Sequence, residues 1–225
     1  MITILTLAIG EDYRKTLAPA LASKKAYAEK HGYTYILGQE EWWDRDRPTA
    51  WSKIPFLLDQ LEKSPEGAFF FLSDADVLIT NPDIRLEDAV LQDLLDGKDM
   101  LITIDACGHI NSGNILLRNT AWTRDYFKRV YQQTDLLYHI WWENAAMIKL
   151  LEQNPTDLAK TQLTGRHEKF NAYLMGLPGQ PLWTPRELLV HFAGGWRAPI
   201  LKQLQSDILA GKIPRLSLGG EITYI

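Results

Sequence analysis

The chain has 225 residues, of which 46% are hydrophobic and 23% charged, with 8 Trp, a formal net charge of -4 and a pI near 5.7. That balance excludes a disordered or fibrous chain and, with no basic run, a nucleic-acid partner, and it suits one large domain with a substantial core. A lone Cys107 excludes an intrachain disulfide and a metal site built mainly on sulfur.

Residues Ile2 to Ile9 read as a first strand ending at Gly10. The same segment lacks the charged start of a secretion signal, and no apolar stretch reaches membrane-spanning length. The default expectation is therefore a cytoplasmic enzyme, with a membrane-peripheral one as the alternative. A helix is predicted from Asp12 to Lys30 with Pro19 disturbing its middle, stopped by His31-Gly32. Tyr33 to Leu37 gives a second strand, and this βαβ order makes a parallel sheet the leading architecture. The segment Glu40 to Pro48, with Trp42 and Trp43, reads as an exposed loop, beside a site or simply on the surface.

Trp51, Ile54, Leu57, Leu58 and Leu61 are spaced as the buried face of a helix over Thr49 to Glu62. Next comes the stretch the chain is built around: Phe69-Phe70-Phe71-Leu72-Ser73 is an apolar run that stops at Asp74-Ala75-Asp76. It predicts a buried parallel strand whose carboxyl end opens onto a site, where open α/β sheets place ligands. With the backbone extended through Ala75, Asp74 and Asp76 project to one face and converge on a hard, oxygen-loving cation, Mn²⁺ or Mg²⁺. Two acids at a strand end also serve as turn caps, and that alternative stands on these residues alone.

Asn81-Pro82 turns the chain, and a helix over Leu86 to Leu95 ends near Gly97. Met100 to Ile104 is a fourth strand, Asp105 to Asn111 a loop, and Ile115 to Leu117 a strand. Helices follow over Ala121 to Gln133 and Trp141 to Leu151. Short strands are expected near Thr161–Leu163, Ala172–Leu174 and Leu188–Phe192, then a last helix near Ile200 to Ala210. With no internal repeat or linker, residues 1–225 read as one domain.

Five fragments, in this order, resemble the galactosyl/mannosyl/xylosyl transferase (GMA12/MNN10-like) family of retaining glycosyltransferases with the GT-A fold. They are Trp51-Ser52-Lys53-Ile54, Ser73 to Asn81, Asn111 to Asn119, Trp142-Glu143-Asn144-Ala145-Ala146 and His191-Phe192-Ala193-Gly194-Gly195. The resemblance implies a single GT-A-like α/β domain, with a nucleotide-sugar-binding half over 1–105 and an acceptor and catalytic half over 106–225. It implies transfer of a hexose or pentose from a nucleotide-sugar, UDP-sugar favoured, to a hydroxyl of a glycan, a lipid-linked sugar or another acceptor.

The same resemblance implies residue roles. Asp74, Asp76 and His191 would hold the metal, which would neutralise the diphosphate leaving group. Gly194 and Gly195 would let backbone amides approach phosphate oxygens, with Arg197 adding charge. Lys53 and the backbone about Ala75 would meet the donor, and Thr6, Ala8 and Tyr13 would form its base and ribose pocket. Asp105 and the Asn111-Ser112-Gly113 segment would meet the sugar, where matched hydrogen bonds reject analogues lacking a hydroxyl. Glu143 and Asn144 would stand near the anomeric carbon, Asn144 in a place where related enzymes carry Gln. Each has a plainer alternative: His191 satisfied by a backbone carbonyl, Lys53 solvated, Asn111-Ser112 in a turn, Glu143 or Asn144 capping a helix.

Two other readings compete. A phosphatase of the haloacid dehalogenase type also places Asp-x-Asp after an apolar strand, but near the amino terminus and followed by Gly-Thr, whereas Val77-Leu78 follows here. A non-catalytic carbohydrate-binding or scaffold protein would be expected to lose a metal ligand, and all three are present.

Overall fold

The computed structural model describes residues 2–105, 107–194, 196–217 and 221–225. Its centre is a six-stranded sheet in the order β2-β1-β3-β6-β5-β7, formed by β1 (Ile2–Leu7), β2 (Thr34–Gly38), β3 (Phe69–Ser73), β5 (Met100–Ile104), β6 (Ile110–Arg118) and β7 (Thr161–Thr164). Only β6 runs against its neighbours, so the mainly parallel sheet expected from the βαβ order is present. The Phe run of β3 alternates as a pleated strand must. Phe70 and Leu72 pack among Leu57, Leu61, Phe127 and Met147 on one face, and Phe71 packs among Leu101, Leu116 and Phe170 on the other. Helices α3 (Lys53–Glu62), α5 (Ala121–Tyr131) and α6 (Trp142–Gln153) cover the first face. Among the described residues, no helix is long and apolar enough to cross a membrane.

Several elements depart from the sequence expectations. The first helix is two, α1 (Glu11–Thr16) and α2 (Ala18–His31), with Pro19 in the opening turn of α2. A proline cannot donate to the preceding turn, so the chain restarts at Leu17. The helix expected over Leu86 to Leu95 shrinks to α4 (Leu86–Ala89) and one 3₁₀ turn. The strand expected at Ala172–Leu174 is a single bridge from Ala172 to Val190. Asn111, Ser112 and Gly113 lie inside β6, not in a turn before it.

The most consequential departure is a strand of three residues, β4 (Val77–Ile79), which leaves the main sheet and pairs antiparallel with β8 (Leu189–His191). Val77 lies opposite His191, so this small sheet carries the imidazole to the carboxylates at the end of β3.

The chain closes with α7 (Pro155–Lys160) before β7, α8 (Ala198–Leu209) after β8, and a hairpin of β9 (Pro214–Leu216) and β10 (Ile222–Tyr224). Asp207 ties that hairpin to α8 by accepting from Lys212 Nζ at 2.7 Å and from the Tyr224 hydroxyl. These hydrogen bonds bring its pKa down to about 2. A depressed carboxylate contributes stability that is fully present above its ordinary pKa and is lost as pH falls through the depressed one. In an NMR titration, the Tyr224 ring signals are therefore expected to stay native at pH 4 and to move only towards pH 2.

Candidate active site

The carboxyl ends of β1 and β3 open into a cleft of about 700 Å³, whose lining includes Tyr13, Lys53, Asp74, Ala75, Asp76, Asn111, Ser112, Glu143, Asn144, His191 and Gly194. Strand β3 stops at Ser73, and residues 74–77 form a tight turn in which Val77 N–H donates to Asp74 O at 3.2 Å. The extended geometry expected through Ala75 is thus replaced by a turn. The turn still converges the side chains: ligand atoms of Asp74, Asp76 and His191 all lie within 4.8 Å of one another.

Asn171, fully buried, sets the chemistry of that imidazole. Its Oδ1 lies 2.8 Å from His191 Nδ1 and also accepts from Asn114 Nδ2 at 3.0 Å. An oxygen acceptor at Nδ1 requires a proton there and turns Nε2 towards Asp76, 3.5 Å from its Oδ1, where a protonated ring donates to the carboxylate and a neutral one presents its lone pair to a cation. Two carboxylates and an imidazole nitrogen form a donor set that can hold a divalent cation. Burial pushes the Asp74 carboxyl up, and Lys53 offsets only part of that. Burial acts on Asp76 too, but the His191 ring and the Lys24 ammonium hold its pKa below the ordinary carboxylate range.

Lys53 is buried between two acids, with Nζ 2.7 Å from Asp74 Oδ1 and 3.0 Å from Glu143 Oε1. Burial alone would lower its pKa, yet the two carboxylates raise it, so the ammonium stays charged. Glu143 also accepts from Ser112 Oγ at 3.1 Å through the same Oε1, while its Oε2 is buried without a partner. Both ends of the Asn144 amide are engaged: Oδ1 accepts from Ser112 N–H at 3.0 Å and Nδ2 donates to Ile110 O at 2.9 Å. It therefore pins the start of β6, beside the register shift between Ile102 and Thr103. Trp141 precedes α6 without a side-chain cap, so neither Glu143 nor Asn144 caps that helix.

Other expected residues sit farther from the centre. Thr6 and Ala8 are fully buried: Thr6 Oγ1 donates to Ser73 O, Ala8 N–H donates to Gly38 O, and Ala8 O accepts from Arg14. Their neighbours Leu7 and Ile9 line the cleft in their stead. Asp105 holds the 105–109 loop by accepting from Cys107 and His109 N–H groups, and lines a smaller pocket of about 190 Å³. The two cavities share Asn111, His191 and Ala193. Arg197 is exposed ahead of α8 and lines neither cavity. Gly195 lies outside the described residues. Trp42 packs on Phe56, 5.4 Å between centroids, and Trp43 lies under Arg45, so that loop turns its indoles away from the cleft lining.

Two contributors were not singled out from the sequence, Asn171 and Lys24, and Gly113, expected with Asn111 and Ser112 to meet the sugar, sits against the imidazole. A Cβ on Gly113 would lie 2.1 Å from His191 Cε1, so only glycine admits the imidazole. Lys24 of α2 is buried beneath the turn and donates to Asp74 O at 2.6 Å and Ala75 O at 3.3 Å. Burial lowers its pKa to about 7 against the pull of Asp76 and Asp74. With Ser23 Oγ accepting from Ile79 N–H, one face of α2 props the whole 74–79 segment.

Residues 1–100 match the galactosyl transferase GMA12/MNN10 family. A Saccharomyces cerevisiae protein named "Probable alpha-1,6-mannosyltransferase MNN10" is 25% identical over 152 residues, which cover 55% of this chain and 36% of that protein. The chain thus spans about a third of that relative's length. Among solved structures, a glycosyltransferase involved in glycosylation of the major capsid of PBCV-1 superposes with a TM-score of 0.70 at 16% identity, covering 91% of this chain and 98% of that one. The galactosyltransferase LgtC, solved with donor and acceptor sugar analogs, superposes with a TM-score of 0.54 at 14% identity over 91% and 95% of the two chains. These likenesses establish the GT-A glycosyltransferase fold.

Proposed function

We infer, for a chain whose first 100 residues match the galactosyl transferase GMA12/MNN10 family and whose fold is that of the GT-A glycosyltransferases, a metal-dependent retaining transferase. It moves a hexose or pentose from a nucleotide-sugar, preferably a UDP-sugar, to a hydroxyl of a glycan or another acceptor. The observation that carries this reading is the meeting of Asp74, Asp76 and His191 on a cleft that also holds the buried Lys53–Glu143 pair.

In this reading residues 1–105 carry the donor and residues 106–225 supply acceptor and catalytic groups. Asp74, Asp76 and the Nε2 of His191 would hold Mn²⁺ or Mg²⁺, which when bound supplies charge neutralisation to the diphosphate oxygens. Tyr13, with the backbone around Ala8, takes the nucleoside, and Ala75 and Gly194 bring backbone close to the donor. Arg197 would add charge from outside the cleft lining. Asn111, Ser112 and Asp105 address sugar hydroxyls, and Asn144 holds Ser112 in place.

In this reading Glu143, a cleft-lining residue whose Oε2 has no hydrogen-bond partner, stabilises positive charge at the anomeric carbon. The bond from that carbon to the leaving phosphate oxygen breaks as its bond to the acceptor oxygen forms on the same face. The acceptor proton passes to the departing phosphate oxygen, so no protein base is consumed.

Calorimetric titration of UDP and GDP with and without Mn²⁺ tests the donor site, and manganese-dependent binding of UDP is the expected result. Asp76→Ala should remove that binding and transfer while leaving the thermal midpoint close to wild type, because the change falls on a site and not on the core. Loss of folding in that variant would make Asp76 structural.

A further inference from the structure

The segment that leads into Glu143 is unlike any other wall of the cleft. Tyr138 is 82% exposed, Ile140 75%, Trp141 39% and Trp142 45%, and the last three line the cleft. Apolar side chains gathered at a cavity mouth mark a contact surface more often than a packing failure. The segment is also built, not loose. Trp51 Nε1–H donates to Leu137 O at 3.1 Å, and Trp142 N–H donates to His139 O at 2.9 Å. Trp141 is wedged between His109 and His139, with centroids at 4.9 and 5.5 Å, and its backbone N–H donates to His139 Nδ1.

Trp142 has φ 42, the one described non-glycine residue in the left-handed region. A bulky side chain rarely adopts that conformation, and such strain gathers where a side chain must be aimed. Here it falls on the first residue of α6, immediately before Glu143.

We propose that Ile140, Trp141 and Trp142 form a stacking platform that binds the ring faces of a neutral saccharide acceptor next to Glu143. Indole faces match the C–H face of a pyranose, whose hydroxyls point to the ring's edge and remain free for polar neighbours. Ile140, Trp141 and Trp142 carry no charge, and among the cleft-lining residues the single lysine, Lys53, is already paired to Asp74 and Glu143 with Asp76 beside them, so an uncharged acceptor is selected over a phosphorylated or acidic one. The proposal rests on the transferase reading given above.

The test is saturation-transfer NMR and titration of wild type, Trp142→Ala, Trp142→Phe and Trp141→Ala with cellobiose, lactose, xylobiose and α-1,6-mannobiose. Mn²⁺ affinity and thermal midpoint are measured on the same samples. Wild type is expected to bind at least one disaccharide through its ring protons. Each Ala variant should weaken that binding by about tenfold, the size of a lost stacking contact. Trp142→Phe should retain most of it, with Mn²⁺ affinity unmoved in all variants. Binding of no disaccharide, or equal binding by the Ala variants, overturns the platform. Binding of phosphatidylcholine vesicles alone overturns it in favour of a lipid surface. Failure of wild type to bind UDP with Mn²⁺ would instead sink the transferase reading itself.

Discussion

Replacing Gly113 by alanine is expected to abolish Mn²⁺-dependent nucleotide binding in a protein that remains folded. The added methyl would sit 2.1 Å from His191 Cε1, 2.7 Å from Nδ1 and 2.9 Å from Asn111 Oδ1. None of these can be reached without moving the ring, because its Nδ1 is bonded to the buried Asn171 and its backbone is paired in β8. Nor can Gly113 retreat, since its carbonyl accepts from Asp74 N–H at 2.7 Å. Overpacking of this kind costs about 1–3 kcal/mol, which a domain of ordinary stability survives. The metal set does not survive it, because a displaced Nε2 no longer faces Asp76. Electron paramagnetic resonance of Mn²⁺ with a parallel thermal melt reads both effects, and unchanged manganese affinity would show that His191 is no ligand.

Lys53→Met should act in the opposite way, on stability first. It removes the cation between Asp74 and Glu143 and leaves the buried Glu143 carboxylate facing the partly buried one of Asp74. Stripping one partner from a buried charge network costs about 3–5 kcal/mol, because the remaining charges keep their desolvation penalty. Some of the loss should return when Mn²⁺ is added, since a cation bound to Asp74 compensates the same charge. Denaturant melts of wild type and variant, with and without Mn²⁺, measure both quantities. A variant as stable as wild type without metal would mean that Asp74 or Glu143 takes up a proton instead.

What the sequence disclosed and concealed follows from the length scale of each signal. Strands β1, β3 and β5 are apolar runs buried on both faces, and their order with α2 and α3 is readable from periodicity. Strand β4 has only three residues and reads as the tail of the acidic motif. The start of β6, Asn111-Ser112-Gly113, has turn composition, yet it is held as strand by the Asn144 amide from a distant helix. A lysine inside α2 reads as solvent-facing, and only the turn stacked above Lys24 makes it interior. Asn171 carries no local motif at all. Its part is decided by Thr103, Asn111, Asn114, Tyr173 and His191, which meet it only in the folded chain.

The pairing of β4 with β8 also imposes an order in time. Asp74 and Asp76 leave the ribosome long before His191, and the short strand beside them has no described partner until Leu189–His191 arrives. A contact so remote along the chain closes late and slowly. A nascent chain therefore carries the two carboxylates without the imidazole, and the three meet only when β8 closes on β4. The same seam is the first that a chelator, or a cut between residues 160 and 188, should loosen.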